Sequence, residues 1–488
     1  MYTNLFKMVG FSEDEIKEQK PRIEKLLDRI GVLDKESIKH AEEHTRKNFD
    51  TEMAGTRKFL HLLMLEFMAA VLAREENEKV IHSNMPLAAP MTQAMQEAVI
   101  AKNAPIYVGS ALTKCWLPLG SIFDKVNELI EVGELMGMTA GRAHCSHYHI
   151  LGGLYEKGII PLPDICVSAS QYCDQSAESD ALLSNTFGYP VTYVDGVNDW
   201  NWESWPELEE RGVNYIKGKL LESYGVVKEV TGLEVGPESI FKGFEHNAKI
   251  TMSWQGIVQM MAKADPQPVS QADLSLCHHS WSPACNMEKL QIDAFNTMMK
   301  DVHKRTRKGI GVVPKGAPRI YMQLRTSVDM TPMRVVEESG LAIPLMMFDM
   351  VVEKMLPPGG PPGMPPGPGG PPGADGPPPD MPDPLVMTAE FLYKLPQFSD
   401  VPGYIDYVEE LSRACNADGV LLIFQFNCRP WATPPLMAKR ALKERLGVPV
   451  LVVEGDIYDT RNYSAGQLKT RIESFAEVLK AQKLGMAA

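Results

Sequence analysis

The chain changes its hydrophobic texture several times, and each change marks a change of structure. Up to about residue 76, apolar positions recur every three or four residues, as in KESIKHAEEHTRKNF and TEMAGTRKFLHLLMLEFMAAVLAREE. That is the spacing of helices with buried faces. SEDEIKEQKPRIEKLLDRIG opens on Ser12 and acidic residues, which suit a helix start. From residue 77 short apolar runs take over: KVIHSNMP, APIYVGS, DICVSAS and PVTYVDG, separated by helix-like stretches. Apolar runs that end in turn residues and alternate with helices predict parallel α/β units. Residues 206–315 return to a helical period, and from 316 a second series follows: PRIYMQL, AIPLMMFDMV, DGVLLIFQFNC and VPVLVVEGD. The predicted fold class is α/β. It has two doubly wound parallel-sheet domains, 77–205 and 316–488, with an N-terminal helical region, 1–76, and a helical middle segment, 206–315.

One stretch fits no element. Residues 357–384, PPGGPPGMPPGPGGPPGADGPPPDMPDP, are almost entirely Pro and Gly. Proline removes a backbone donor and glycine raises the ordering cost, so neither helix nor strand is expected. The run lacks the every-third-glycine period of collagen. It reads as a surface insertion, or as a loop that docks on a partner subunit.

Composition narrows the function classes. A net charge of -13 argues against nonspecific nucleic-acid binding. The first residues show no basic start followed by an apolar core. The most apolar stretch, FLHLLMLEFMAAVLA (59–73), is short of the ~20 residues a spanning helix needs and carries His61 and Glu66. It is expected to be a buried helix of a cytoplasmic protein. Eight cysteines in 488 residues are too sparse for a disulfide scaffold and suggest metal or redox work where they cluster.

In open parallel sheets, ligands bind beyond the carboxyl ends of the strands. Cys173 follows DICVSAS, Cys428 ends DGVLLIFQFNC, and Cys145 lies in a connection at the same edge. These three can converge between the two domains. Cys115, after APIYVGS, is a fourth candidate on the same logic. Cys166 within a strand and Cys415 within a helix read as packing thiols. Three converging thiols suggest an iron–sulfur cluster with one open iron; the alternative is unrelated buried thiols.

CSHYHILGGLYEKGIIPLPDICVSASQYCDQ, GYPVTYVDG, NADGVLLIFQFNC and GVPVLVVEGDIYDTRNYSAGQLKTRIESFAEVL, in that order, resemble the 2-hydroxyacyl-CoA dehydratase and benzoyl-CoA reductase family. The resemblance runs from about residue 78 to the C-terminus. It implies a 4Fe–4S cluster held by Cys145, Cys173 and Cys428, one per chain, with a double cluster possible. It also implies a homologous second subunit and a separate ATP-hydrolysing iron–sulfur activator. No G-x-x-x-x-G-K-[ST] loop occurs in this chain, in agreement with that division. The N-terminal helices, the Pro/Gly run, and Cys115, Cys277 and Cys285 depart from the family's minimal pattern.

Other residues invite roles. His144, His147 and His149 crowd Cys145, and His147 or His149 is the candidate proton donor, since an ordinary imidazole titrates near neutral pH. The alternative is that they only hydrogen-bond backbone or sulfur. LCHHSWSPAC (276–285) offers Cys277, His278, His279 and Cys285 as a second metal site, against a helix junction with a polar surface. Arg461, Lys469 and Arg471, around a helix capped by Ser464, are candidate anchors for the phosphates of an acyl-CoA, or simply solvated helix charges. The expected function is low-potential electron transfer to an acyl-CoA thioester, whose carbonyl stabilises an added electron. Reduction of a benzoyl-CoA-type ring is preferred, because the extra segments are unlike a minimal dehydratase subunit. Dehydration of a 2-hydroxyacyl-CoA is the alternative. A double-cluster reductase and a non-catalytic relay subunit remain open.

Overall fold

Among the described residues eight strands form two sheets of the same plan. The computed structural model describes residues 1–485 apart from 85–88, 139–143, 171–172, 198–206, 281–285, 325–326, 348, 350–382, 395–400, 426, 433 and 463. The first sheet contains β1 (Lys79–Ser83), β2 (Ile106–Gly109), β3 (Ile165–Ser168) and β4 (Val191–Tyr193) in the order β2-β1-β3-β4. The second contains β5 (Arg319–Gln323), β6 (Ala342–Met346), β7 (Gly419–Gln425) and β8 (Val450–Gly455) in the order β6-β5-β7-β8. Every neighbouring pair is parallel; Ile81 lies beside Val108 and Ile165, and Leu421 beside Met322 and Leu451. The inner strands are buried along nearly their whole length, whereas the edge strand β4 is half open. Helices on both faces explain the unbroken apolar runs of the inner strands. In each sheet the strand order reverses beside its first strand, so a crevice opens at the carboxyl ends of β1 and β3, and of β5 and β7.

The predicted helical regions form and are shared between the sheets. In the middle segment, Glu210–Thr231 packs on β3 and β4, while Pro237–Lys263 packs on Ala89–Lys102 and reaches β6. Helix Glu288–Lys308 packs against Ala54–Val71 of the N-terminal region. Helix Ala54–Val71 is buried on almost every face and also packs on Ala111–Ser121. Its Glu66 pairs with Lys114 at 2.7 Å, both essentially enclosed. Burial pushes the Glu66 carboxyl up to about 7, against the pull of Lys114. Asp273 accepts hydrogen bonds from the Asp50 amide and the Thr56 hydroxyl, each at 3.0 Å. The stretch 59–73 is thus the buried helix expected, and no described helix is long and apolar enough to cross a membrane. Most of the Pro/Gly-rich insertion, up to residue 382, lies outside the described residues.

Candidate metal centre

The three cysteines selected from strand ends meet at the edge shared by the two sheets. Cys145 and Cys173 are the N-cap residues of helices Ser146–Glu156 and Asp174–Phe187. The Cys428 carbonyl accepts from the Trp431 and Ala432 amides, opening the turn Arg429–Ala432 just beyond β7. A sulfur at a helix N-terminus faces free N–H groups and the positive end of the dipole, which favour negative charge. The three residues keep some exposure, while the sulfurs of Cys145 and Cys428 are enclosed. Burial pushes the Cys145 thiol up to about 12 and that of Cys428 well above its usual range, and the neighbouring sulfurs add to this, Cys173 acting on both. Among the described residues the three sulfurs are not gathered within 4.8 Å of one another, as ligands of a single ion would be. A spread set of thiols, each disfavoured as a lone anion, suits a polynuclear iron–sulfur group whose irons offset the charge.

A buried hydrogen-bonded node holds the three segments together. Asp456, at the carboxyl end of β8, accepts from Ser146 and from Asn427, both at 2.6 Å. Asn427 also donates to Ser146 at 2.8 Å, and its carbonyl accepts from Gln175 at 3.1 Å. Each cysteine therefore has a neighbour within two residues in one network. Burial holds the Asp456 carboxyl above the usual range despite these donors. Under Cys173, buried Asp180 accepts from Asn84 at 2.7 Å and from Tyr148 at 3.3 Å, with its pKa raised to about 6 by burial.

Two glycines set the depth of the helix that follows Cys145. A Cβ on Gly133 would lie 2.3 Å from the His149 carbonyl oxygen, and one on Gly153 2.3 Å from that of Leu129. Helices Val126–Leu135 and Ser146–Glu156 can pack this closely only without those side chains.

The crevice is lined by aromatic rings. His147 stacks on Tyr458 with centroids 4.5 Å apart, and Trp116 meets His147, Tyr458 and His279 edge-on at 6.0, 5.2 and 5.0 Å. The Tyr458 amide donates to Asp456, so the same node places this ring. Among the described residues, buried His147 Nε2 and Trp116 Nε1 have no hydrogen-bond partner. Burial pushes His147 down to about 3 and His149 to about 4. Both imidazoles are therefore neutral at pH 7, which corrects the expectation of ordinary, near-neutral titration. His144 bonds Ser179 at 3.0 Å.

The remaining candidates are not brought together here. Cys115 lies inside helix Ala111–Ser121, deep in the core, and burial alone raises its thiol; strand-end reasoning placed it wrongly. Cys166 accepts from Asn84 at 3.1 Å and Cys415 is fully buried, both as packing thiols. Helix Gln271–His279 is buried along its whole length, so the polar junction expected there is corrected. In it His278 lies 3.0 Å from Asp349, and Cys277 is enclosed; Cys285 is outside the described residues. Ser464 caps its helix as expected. Arg461, however, is engaged by Asp459 and Glu134 at 2.8 Å, Arg471 donates to the Val452 carbonyl, and exposed Lys469 lies 3.9 Å from Glu473. The three cations form no shared anion pocket. Ser146, Asn427, Asp456, Trp116 and Tyr458 escaped sequence reasoning. Ser146 adjoins Cys145, Asn427 adjoins Cys428, and Asp456 ends a strand at the same edge, so the strand-end rule extended to polar residues finds these three of the five.

A model of the family described as "2-hydroxyglutaryl-CoA dehydratase, D-component" matches residues 108–351 and 370–479. The alpha subunit of (R)-2-hydroxyglutaryl-CoA dehydratase from Acidaminococcus fermentans is 21% identical over 336 residues, 67% of this chain and 62% of its own length. The chain thus spans less than two thirds of that relative. The (R)-phenyllactyl-CoA dehydratase alpha subunit of Clostridium sporogenes is 21% identical over 355 residues, 68% of this chain and 74% of its own. A benzoyl-CoA reductase subunit of Thauera aromatica is 26% identical over 103 residues, 21% of this chain and 24% of its own. With well over half of its residues matched, this chain belongs to the 2-hydroxyglutaryl-CoA dehydratase, D-component family.

Proposed function

We propose that Cys145, Cys173 and Cys428 hold a 4Fe–4S cluster, and that this chain is the subunit of an enzyme that removes water from a 2-hydroxyacyl-CoA. The observation that carries the reading is the meeting of three thiols close enough to act on one another, those of Cys145 and Cys428 enclosed, at the edge shared by the two sheets. The preference for aromatic ring reduction gives way here. Dehydratase alpha subunits align over most of this chain, whereas the reductase subunit aligns over 103 residues. Ring reduction is kept as the second reading because that shorter match has the higher identity, 26% against 21%.

The reaction balances without net oxidation: the 2-hydroxyl and a hydrogen from C3 leave as water, and a C2–C3 double bond forms. When bound, the cluster supplies low-potential electrons and an iron free of protein ligands. The chain's own residues do the rest. Asp456, Ser146, Asn427 and Gln175 hold the cysteine-bearing segments in register. Trp116, Tyr458 and the ring of His147 shut water out of the crevice. The unpartnered His147 Nε2 is the atom offered to the thioester oxygen as a hydrogen-bond donor. The names of the relatives, which are subunits, support a homologous partner chain. Electron supply by an ATP-hydrolysing activator belongs to the same proposal.

The test is an oxygen-free preparation of the complex with its activator, assayed on a 2-hydroxyacyl-CoA and on benzoyl-CoA. Formation of the 2-enoyl product is expected, with about four irons and four sulfides per chain. Turnover of benzoyl-CoA alone would replace this reading with the second. Zinc in place of iron, or a metal-free protein, would overturn both, and about eight irons would point to a double cluster.

A further inference from the structure

Three helices that carry none of the three candidate cysteines bring together a second set of side chains of metal-binding type. Glu97 lies on helix Ala89–Lys102, His246 on Pro237–Lys263, and Glu288 begins Glu288–Lys308. One ligand atom of each lies within 4.8 Å of the others. His246 is 5% exposed, so its ring sees little water.

The hydrogen bonds around His246 decide what its inward nitrogen can be. Gln291 donates through its side-chain nitrogen to the Ser280 carbonyl, which can only accept. The amide oxygen of Gln291 is therefore the atom turned to His246 Nε2, at 2.9 Å, and it too can only accept. Nε2 must carry the ring proton. In a neutral imidazole this leaves Nδ1 with a bare lone pair, 3.5 Å from a Glu288 oxygen and close to Glu97. That nitrogen and one oxygen of each carboxylate then face one another, and Glu288 is held below its usual range chiefly by its contact with His246. Burial and the Glu288 charge hold the Glu97 carboxyl above its usual range, as like charges crowded together should. Lys242 and Lys249 are near, but each pairs with an acid on its own helix, Glu238 at 2.9 Å and Glu245 at 3.4 Å.

We infer that Glu97, His246 and Glu288 form a site for a divalent first-row metal ion, with Gln291 as the positioning residue that presents His246 Nδ1. Two carboxylates and one imidazole suit Zn2+ or Mn2+, and contain no thiolate that would select a softer ion. A metal-bound histidine usually gives its other N–H to a fixed acceptor, which is the role of Gln291. The ion ties the helix that follows β1 of the first sheet to the helix that reaches β6 of the second. It is a clamp between the two halves, independent of the cysteine centre. Its failure would leave the proposed function untouched.

The test uses the iron-loaded protein, stripped of loosely bound metal and then titrated with Zn2+ or Mn2+ while iron is measured in parallel. One equivalent of added ion per chain is expected, and it should raise Tm. In Glu97→Gln/Glu288→Gln that equivalent and the rise in Tm should vanish with iron unchanged. Gln291→Met should weaken the ion by roughly 10–100-fold without removing a ligand. If the double variant does not fold, Glu97→Gln alone carries the test, since it removes one ligand and one of the crowded charges. Failure of the protein to take up either ion, or equal uptake by the variant, would overturn the site.

Discussion

Two regions of this molecule bury polar groups in opposite ways. Where the N-terminal helices dock, the buried acids have partners: Glu66 faces Lys114, and Asp273 receives the Asp50 amide and the Thr56 hydroxyl. In the cysteine crevice, His147 Nε2 and Trp116 Nε1 have no partner among the described residues, and the thiols of Cys145 and Cys428 are raised by the neighbouring sulfurs. An unpartnered buried polar atom costs about 1–3 kcal/mol. The partners that the docking face supplies to Glu66 and Asp273 serve stability. The crevice carries that penalty, which is expected where a further group completes the site.

The sharpest way to break this contrast is to remove a thiol. Cys145→Ser, Cys173→Ser and Cys428→Ser should each lose iron and all activity while keeping the fold, read by iron analysis and circular dichroism. Cys166→Ala and Cys415→Ala should keep iron and lose on the order of 1 kcal/mol, and Cys115→Ser should also keep iron. Iron loss from any of these three would show that the site is misplaced.

At the docking face the effect should invert. Glu66→Gln removes the charge that faces the enclosed Lys114 ammonium and should cost about 3–5 kcal/mol in chemical denaturation. Iron per folded chain should not change. Replacing both partners, Glu66→Leu with Lys114→Met, should recover most of that loss; no recovery would mean that the pair is not what Glu66 contributes.

Asp456→Ala lies between the two cases. It removes the acceptor that Ser146 and Asn427 share, leaving them bonded to each other, at about 1–3 kcal/mol, and loosens the cysteine-bearing segments without removing a ligand. Iron should be retained but released faster to a chelator. Wild-type release rates would remove Asp456 from the supporting network.

A smaller effect depends on pH. Burial raises the Asp273 carboxyl to about 7, so the folded chain holds a proton that the unfolded chain releases near pH 4. The stabilisation linked to that proton is fully present below about pH 4 and is lost as pH rises through about 7. Asp273→Asn keeps an oxygen for Asp50 and Thr56 but does not titrate. Its stability relative to wild type should therefore climb from pH 4 to 7, by up to about 1.4 kcal/mol per pH unit. A flat difference would place Asp273 in a more polar setting. The smallest effect is expected from deleting 359–380, because the family match is itself interrupted between 351 and 370. Iron and Tm should stay at wild-type values; a chain that no longer folds would make the run structural.

Much of the fold was legible in local pattern. The runs that became β1, β3, β5 and β7 read as buried strands because parallel strands covered on both faces leave little room for polar residues. The helix caps at Ser12 and Ser464 were readable because a cap is a contact three residues long. The strand-end rule picked Cys145, Cys173 and Cys428 because chain order alone says which end of a parallel strand is its carboxyl end. The same rule admitted Cys115, since nothing local says whether a helix residue faces the crevice or the core.

By itself, then, the sequence determined the elements, their parallel sense and the edge where the chemistry gathers, for these follow from periodicity and chain direction. Only the tertiary structure decided the partners. Ser146 and Asp456 are 310 residues apart, Glu97 and His246 are brought together from separate helices, and Lys114 answers Glu66 across a helix packing. It also decided the charge states, holding His147 neutral and Asp273 protonated near neutrality. Desolvation depends on every neighbour at once, and the order of residues along the chain carries no local record of it.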